Sequence, residues 1–190
     1  MLSDALRRTH RSHETMTTND TPANMRPTVH RGSAAADLPP GTVVAIGNFD
    51  GVHLGHQQVI GHARALAQEI EGDHQVAVLT FDPHPARLFA PDLAPPLIAT
   101  LERRIDWLGE AGADHVVVET FDPALAELSP DDFIQQILLQ RLGAAGVVVG
   151  YDFTYGKGGL GNTELLREEC QRAGVRVGIT DAYYQDGILV

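Results

Sequence analysis

Two histidines stand three residues apart in a glycine-containing stretch that reads GNFDGVHLGH, residues 47–56. His53 and His56 fall where an apolar, β-branched run, 42–47, gives way to apolar residues at helical spacing, which predicts a strand followed by a helix start. The first N–H groups of a helix lack partners within the helix and attract anions. Imidazoles there can donate hydrogen bonds to phosphate oxygens, and glycines let the backbone approach a ligand closely. The pattern predicts a loop for phosphoryl or nucleotidyl transfer, which depends on positioning and on stabilising developing charge.

Two other interpretations of the histidine pair stay open at this point. The glycines of the stretch can form a tight turn only, with both histidines on the surface. The histidines can also be two ligands of a zinc ion, although the sequence offers no cysteine cluster and no obvious third ligand.

The composition limits the classes of protein to consider. With 190 residues, 43% of them hydrophobic, the chain is long enough for one domain with a sizeable core. It carries 14 Lys and Arg against 25 Asp and Glu, a net charge of -11, and the basic residues are scattered, so we expect no nucleic-acid partner. No apolar stretch is long enough to span a bilayer and the N-terminus lacks the apolar core of a secretion signal, so we expect no membrane partner and a cytoplasmic location.

The single cysteine, Cys170, lies in a helical pattern and has no histidine beside it. This fits a reducing compartment, and it favours a structural or exposed thiol over a nucleophile.

Residues 1–38 are predicted to form a disordered tail, and residues 39–190 a single folded domain. The tail is polar, aperiodic and poor in large apolar residues, so it cannot bury enough surface to offset the entropy of ordering.

From Thr42 onward, short β-branched runs alternate with segments of helical period. Strands are predicted at 42–47, 75–81, 115–120, 146–150 and 175–180, and helices at 55–70, at 101–111, after Ser129 and from about Thr163. This alternation predicts an α/β fold, doubly wound around a mostly parallel sheet, with ligands bound beyond the carboxyl ends of the strands. The last residues, YYQDGILV, are predicted to form an edge strand after a turn at Asp186 and Gly187.

A second glycine pattern, Gly156, Gly158 and Gly161, matches the dinucleotide-binding fingerprint, with Asp181 at about the right distance for a ribose-binding acid. The context excludes that interpretation, because the residues YDFTY separate the strand from the glycines and too little chain follows to build a dinucleotide fold. Lys157 makes no P-loop either, since glycine follows it where Ser or Thr is required.

The stretch GNFDGVHLGH resembles the nucleotidyltransferase signature with its His-x-Gly-His core. In the form Gly-Asn-Phe-Asp-Gly-Val-His it is similar to the FMN adenylyltransferase module of prokaryotic bifunctional riboflavin kinase/FAD synthetases. Three further blocks support the narrower resemblance: TFDPHP at 80–85, FDPALAELSPDDFI at 121–134 and VGYDFTYGKGGLG at 149–161. The resemblance covers about residues 26–190 and implies the Rossmann-like fold of the nucleotidyltransferases that carry the His-x-Gly-His signature.

The resemblance also implies roles for individual residues. His53 and His56 would contact the ATP phosphates and stabilise the charge that builds on the α-phosphate. The other residues implied in ATP binding are Gly47, Asn48, Phe49, Asp50 and Gly55. Those implied in flavin binding are Phe81, Pro83, His84, Pro85, Asp152, Phe153, Tyr155 and Gly156. No metal site on the protein is implied, and Mg²⁺ is expected on the ATP phosphates, mostly coordinated by water.

Three of the implied flavin contacts have an alternative structural interpretation. Phe81 and Phe153 can be core residues, and Asp152 can serve a turn or a helix cap. Thr154 departs from the arginine that the family commonly carries at that position.

The implied reaction is ATP plus FMN giving FAD and pyrophosphate, with the FMN phosphate attacking the α-phosphate in line. Two rivals stay open: a cytidylyltransferase or pantetheine-phosphate adenylyltransferase of the same fold, and a non-catalytic fragment that binds nucleotide or flavin. The family continues beyond the position of Val190 with a Ser/Thr-rich segment ending in arginine and then a riboflavin kinase barrel. We therefore expect the 190-residue chain to bind both ligands weakly, to synthesise little or no FAD and to lack riboflavin kinase activity.

Overall fold

Six parallel strands form the central sheet of the computed structural model, which describes residues 26–72, 74–185 and 188–189. The strands are β1 (Thr28–Arg31), β2 (Val43–Ile46), β3 (Val76–Asp82), β4 (His115–Thr120), β5 (Gly146–Gly150) and β6 (Arg176–Thr180). Their order across the sheet is β1-β4-β3-β2-β5-β6, and every pair is parallel. The prediction of a doubly wound, mostly parallel α/β fold is confirmed.

Among the described residues, six α-helical segments cover the two faces of this sheet or join its strands. They are α1 (Leu54–Glu69), α2 (Pro85–Phe89), α3 (Leu101–Glu110), α4 (Pro123–Ala126), α5 (Pro130–Asp132), which continues as a π-helix over Phe133–Arg141, and α6 (Thr163–Arg172). Four of them begin at a side chain that accepts a backbone N–H three residues further on: Thr100, Asp122, Ser129 and Asn162. The four helices predicted from sequence are confirmed, and caps of this kind explain where most of them begin.

The central strands are buried on both faces, which is why their sequences read as continuous apolar runs. Along β2, Val44 and Ile46 point to the face that packs against the π-helix and α6, while Val43 and Ala45 point to the face that packs against α1 and α3. This sandwich of two apolar layers holds the carboxyl ends of β2, β3 and β5 at one edge of the sheet.

The side of the sheet on which successive strands are added changes at β2. The chain adds β3 and β4 on one side of this strand, and later adds β5 and β6 on the other side. In open α/β sheets a crevice forms at such a switch point, outside the carboxyl ends of the strands. The loops that follow β2 and β5 therefore face each other across the expected ligand crevice.

The prediction of a disordered tail over residues 1–38 is wrong from Thr28 onward. Residues 28–31 form β1, which pairs in parallel with β4 at the edge of the sheet, and the backbone N–H of Ser33 donates to the carboxylate of Glu119. Edge strands are mostly exposed and need few apolar residues, so the sequence of β1 lacks the pattern that marks the other strands. Residues 1–25 lie outside the described residues.

The predicted edge strand at the end of the chain is wrong as well. Tyr184–Gln185 and Ile188–Leu189 form two short strands, β7 and β8, that pair antiparallel with each other in a separate sheet. Strands separated by an Asp-Gly dipeptide favour such local pairing. The predicted turn residues, Asp186 and Gly187, lie outside the described residues.

Removing β1 should destabilise the domain. A chain that begins at Pro39 should melt about 5–10 °C below the full chain, because it loses the pairing with β4 and the packing of Pro27 against Gly109 of α3. A chain that begins at Arg26 keeps these contacts and should melt with the full chain. Differential scanning calorimetry measures both, and equal melting temperatures for the two shortened chains would show that β1 contributes no stability.

Candidate functional site

The loop between β2 and α1 is held by buried side chains. Phe49 and Val52 have the left-handed φ values of 51° and 40°, which residues other than glycine seldom adopt. Both side chains are buried in the core, Phe49 with only 1% of its surface exposed. A side chain at Gly47 would meet the ring of Phe49 at 3.1 Å, so glycine suits that position. The burial of these side chains keeps an otherwise unfavourable backbone in one conformation.

His53 and His56 lie at the start of α1, where the sequence placed them, with their rings stacked at a centroid distance of 3.6 Å. His53 is exposed, whereas His56 is half-buried and packs against Phe49 at 5.1 Å. The Nδ1 atom of His56 is buried without a hydrogen-bond partner among the described residues. The two rings thus form a compact pair at the N-terminal end of a sixteen-residue helix.

Burial sets the charge of this pair. It lowers the pKa of His56 to about 4, with a further lowering from His53 and a smaller opposing effect of Asp50, and it also lowers the pKa of His53. His56 is therefore neutral at pH 7 in the free protein and offers one ring N–H as a donor. An anion bound beside it would favour the charged form.

Asp50 and Asn48, both predicted in ATP binding, have contacts within the protein. The carboxylate of Asp50 accepts the backbone N–H groups of Ile98 at 2.9 Å and of Ala99 at 3.3 Å. The carbonyl oxygen of Asn48 accepts the hydroxyl of Thr80 at 2.9 Å. Asp50 thus ties the loop after β2 to the segment before α3, and Asn48 ties it to β3.

A cleft of about 640 Å³ opens at the carboxyl ends of β2, β3 and β5. It brings together most of the residues that the sequence assigned to two ligands: Gly47, Asn48, Phe49, His56, Phe81, Pro85, Asp152, Phe153, Tyr155 and Gly156. The predicted site residues outside its lining are Asp50, His53, Gly55, Pro83 and His84. The two predicted half-sites therefore share one cavity.

His84 has a structural role that the sequence prediction missed. It is the N-cap of α2, and its Nδ1 accepts the backbone N–H of Ala86 at 3.1 Å. Burial lowers the pKa of His84, so the ring is suited to accept this bond in its neutral form. The histidine positions α2 and its following residues at the side of the cleft, while Pro85 lines the cleft itself.

One wall of the cleft is aromatic. Phe81, at the end of β3, meets the ring of Phe121 edge-on at 5.8 Å, and Phe121 meets Phe89 edge-on at 5.7 Å. Phe81 is buried, whereas Phe89 is 65% exposed at the cleft mouth. Of these three rings, the resemblance implied a flavin contact for Phe81 only, although Phe121 begins one of the blocks that carry the resemblance. A planar apolar ligand fits such a wall by stacking or edge contacts.

The opposite wall is the loop after β5. Tyr155 and Gly161 exchange two backbone hydrogen bonds of 3.1 and 2.9 Å, which close the loop. Gly156 has φ 71°, and a side chain there would lie 2.7 Å from the backbone nitrogen of Pro130. These glycines build a closed loop rather than a strand-to-helix turn, in agreement with the exclusion of a dinucleotide fingerprint.

Side chains of this loop differ in what they present to the cleft. Tyr155 is 6% exposed between Phe153 and Phe133, and burial raises the pKa of its hydroxyl, which has no partner among the described residues. Its ring thus serves the core and the cleft floor. Asp152 and Thr154 are exposed on the rim.

Arg104 of α3 is a buried cation at this site that the sequence did not single out. It is 2% exposed, and its guanidinium donates to the carbonyl oxygens of Asn48 at 3.1 Å and Phe81 at 3.2 Å. Its only sequence signal is an arginine on the apolar side of an amphipathic helix.

The remaining sequence predictions concern the cysteine, metal binding and membrane spans. Cys170 is buried, not exposed, and burial raises the pKa of its thiol to about 11, which favours a structural thiol over a nucleophile. Within the part of the chain that the structure describes, no three or more His, Cys, Asp or Glu residues are grouped to hold a metal ion. In the same part, no helix combines the length and apolarity needed to cross a membrane.

A parallel doubly wound sheet with a histidine-bearing loop at its switch point defines an α/β protein of the nucleotidyltransferase class. A family model described as FAD synthetase matches residues 36–190, and the chain belongs to this family.

Similar proteins agree with this membership. The bifunctional riboflavin kinase/FMN adenylyltransferase of Bacillus subtilis (strain 168) is 41% identical over 129 residues, which cover 67% of this chain and 40% of that protein. The protein of the same description from Escherichia coli (strain K12) is 34% identical over 155 residues, 79% of this chain and 47% of that protein. The chain therefore spans less than half the length of these curated relatives.

A solved structure shares the fold. It is described as a macrolide-efflux protein from Streptococcus pneumoniae, and it superposes with a TM-score of 0.71 at 22% identity, covering 85% of this chain and 52% of the other. Likeness at this level of identity concerns the fold alone.

His56 should titrate with a pKa of about 4 in the free protein. Because an unfolded histidine titrates near 6.5, the ring contributes stability above about pH 6.5 that is lost as the pH falls towards 4. Adding ATP should raise the pKa, since the phosphates favour the charged ring. NMR titration of the imidazole signals, assigned with His56→Gln, measures this. A His56 pKa at or above the ordinary value in the free protein would contradict the burial argument.

Proposed function

We propose that the chain transfers the adenylyl group of ATP to FMN, giving FAD and pyrophosphate. The observation that carries the proposal is one cleft that holds both a ring donor at a helix N-terminus, His56, and an aromatic wall, Phe81 with Phe121. Membership of the FAD synthetase family supports it, as does the description of both relatives as riboflavin kinase/FMN adenylyltransferases.

The proposed phosphate subsite lies at the N-terminal end of α1. We infer that the ATP phosphates lie over the loop 47–55, where His53 and His56 donate ring N–H groups to them. A phosphate oxygen of FMN attacks the α-phosphorus, one P–O bond forms, and the bond to the leaving pyrophosphate breaks. The attacking oxygen is already ionised at pH 7, so the site needs no strong base, and the rate depends on alignment and on donors aimed at the developing charge.

Neutral imidazoles suit this role. The low pKa of His56 leaves an uncharged donor in the free protein, so this ring does not have to be stabilised as a buried cation before substrate binds. The phosphates raise that pKa when they arrive, and the hydrogen bonds gain strength as the ring takes up charge. The site thus strengthens its donors in response to the anion.

The flavin half follows from the two walls of the cleft. We infer that the ring system of FMN lies between the aromatic wall and the loop after β5, in contact with Phe81, Phe121 and Phe153. Asp152 and Thr154 sit on the rim, where they can hydrogen-bond the polar edge of the ring. Pro85 and Gly156 complete the pocket and the ring of Tyr155 forms part of its floor, whereas His84 supports it from behind as the N-cap of α2.

Magnesium belongs to the substrate in this proposal. ATP would bind as its Mg²⁺ complex, with the ion held by phosphate oxygens and water, because Mg²⁺ keeps several waters when it binds nucleotides. The described residues provide no grouped set of three ligands that would hold the ion by themselves.

The histidine pair provides the first test. His56→Ala should lower FAD formation from ATP and FMN roughly 10²-fold, because it removes a preorganised donor to the transition state, and His53→Ala should act in the same direction. His74→Ala is the matched control, since His74 lies before β3 at the opposite edge of the sheet and bonds the carbonyl of Glu71. FAD and pyrophosphate are measured by chromatography and a coupled assay. Rates within a few-fold of the parent for both α1 variants would disprove the proposed role of the pair.

Flavin binding provides the second test. FMN fluorescence should be quenched on binding, and Phe121→Ala should weaken FMN binding about tenfold through loss of ring contacts. Tyr184→Ala, an exposed aromatic of the terminal hairpin, should bind FMN like the parent. Displacement of FMN by CMP-linked alcohols or by phosphopantetheine would instead favour another nucleotidyltransferase of this fold. Tight FMN and ATP binding without FAD formation would favour a non-catalytic binding protein.

A further inference from the structure

A buried cation joins the two halves of the cleft. Arg104 lies in the first turns of α3, and its two terminal nitrogens donate to different loops, one to the carbonyl oxygen of Asn48 and the other to that of Phe81. Asn48 belongs to the loop that leads to the histidine pair, and Phe81 belongs to the aromatic wall. A single rigid guanidinium therefore spans the distance between the proposed ATP and flavin subsites.

A contribution to the stability of the fold does not explain why the guanidinium of Arg104 is buried. Taking a guanidinium out of water is costly, and the nearest carboxylate oxygen, on Asp82, is 3.8 Å from Nη2, beyond a hydrogen bond. The Nε atom is buried with no partner among the described residues, and burial lowers the pKa of the side chain. The neighbouring Arg103 shows the contrast, because it lies on the outside of the helix over the ring of Trp107.

A second connection runs parallel to the first. Asp50, in the same loop as Asn48, accepts the N–H groups of Ile98 and Ala99 just before α3 begins. The hydroxyl of Thr80 shares the carbonyl oxygen of Asn48 with Arg104. The start of α3 thus contacts the loop after β2 at two points and the end of β3 at one.

We propose that Arg104 is a positioning residue that fixes the separation between the loop 47–53 and the aromatic wall. Its effect on catalysis rests on the proposed function, since this separation sets the line between the FMN phosphate and the α-phosphorus. Misplacement by about 1 Å can cost roughly 10²-fold in rate without loss of binding. Lysine can replace the fork only in part, because its ammonium lacks the two fixed, diverging donors.

Hydrogen exchange tests the positioning without any assay of activity. In Arg104→Met, amide exchange in 47–53 and in 82–90 should accelerate together by about tenfold, while the middle of α1 keeps its protection. Arg104→Lys should fall between this variant and the parent. Arg103→Met controls for the lost charge, and Leu108→Ala, which empties a fully buried site on the same helix, controls for lost stability. Unchanged exchange in the two loops, or equal acceleration in Leu108→Ala, would overturn the proposal.

Steady-state kinetics tests the effect of this positioning on catalysis. In Arg104→Met, kcat for FAD formation should fall roughly 10²-fold, with KM for ATP and for FMN within about threefold of the parent, and Arg104→Lys should restore part of the rate. Unchanged kcat, or a rise in KM alone, would overturn the proposal, because it would show loss of ordinary binding energy. If the parent itself forms no FAD, the proposed function fails, and the exchange experiment alone decides whether Arg104 positions the two loops.

Discussion

The turn after β2 constrains the whole carboxyl edge of the sheet. Its backbone is held in left-handed conformations at Phe49 and Val52 because both side chains are committed to the core. Because these side chains are buried, the carbonyl oxygen of Asn48 faces β3 and α3. The same backbone conformation places the start of α1, with His53 and His56, beside the cleft. Packing in the interior therefore determines the direction of groups at the surface, several residues away along the chain.

The electrostatics of the site are local. A chain with a net charge of -11 repels anions at long range, yet salt screens exposed charges beyond a Debye length of about 8 Å at physiological ionic strength. What an anion meets is the N-terminus of α1, the neutral ring of His56 in the cleft lining and the exposed ring of His53 beside it, with the guanidinium of Arg104 behind the loop. Attraction thus begins only after a ligand has entered, which favours molecules whose apolar part also gains contacts with the aromatic wall.

Sequence reasoning succeeded where the signal is contiguous. The buried strands, the longer helices and the histidine pair each occupy neighbouring residues, and their local patterns predict them. It failed where a role depends on distant partners. Asp50 binds N–H groups 48 residues away, and Arg104 reaches a carbonyl 56 residues away, so neither role can be found by spacing. β1 was missed for another reason, because an exposed edge strand needs no apolar alternation.

The position of β1 also bears on how the chain acquires its structure during synthesis. His30 of β1 contacts His115 of β4, 85 residues later, so β1 leaves the ribosome well before the only strand it pairs with in the described sheet. Loop-closure entropy favours pairing β4 with β3, the strand that precedes it in the chain, before pairing it with the distant β1. Contacts formed after the transition state act mainly on the unfolding rate. The edge strand is therefore a determinant of how long the folded protein lasts rather than of how quickly it forms.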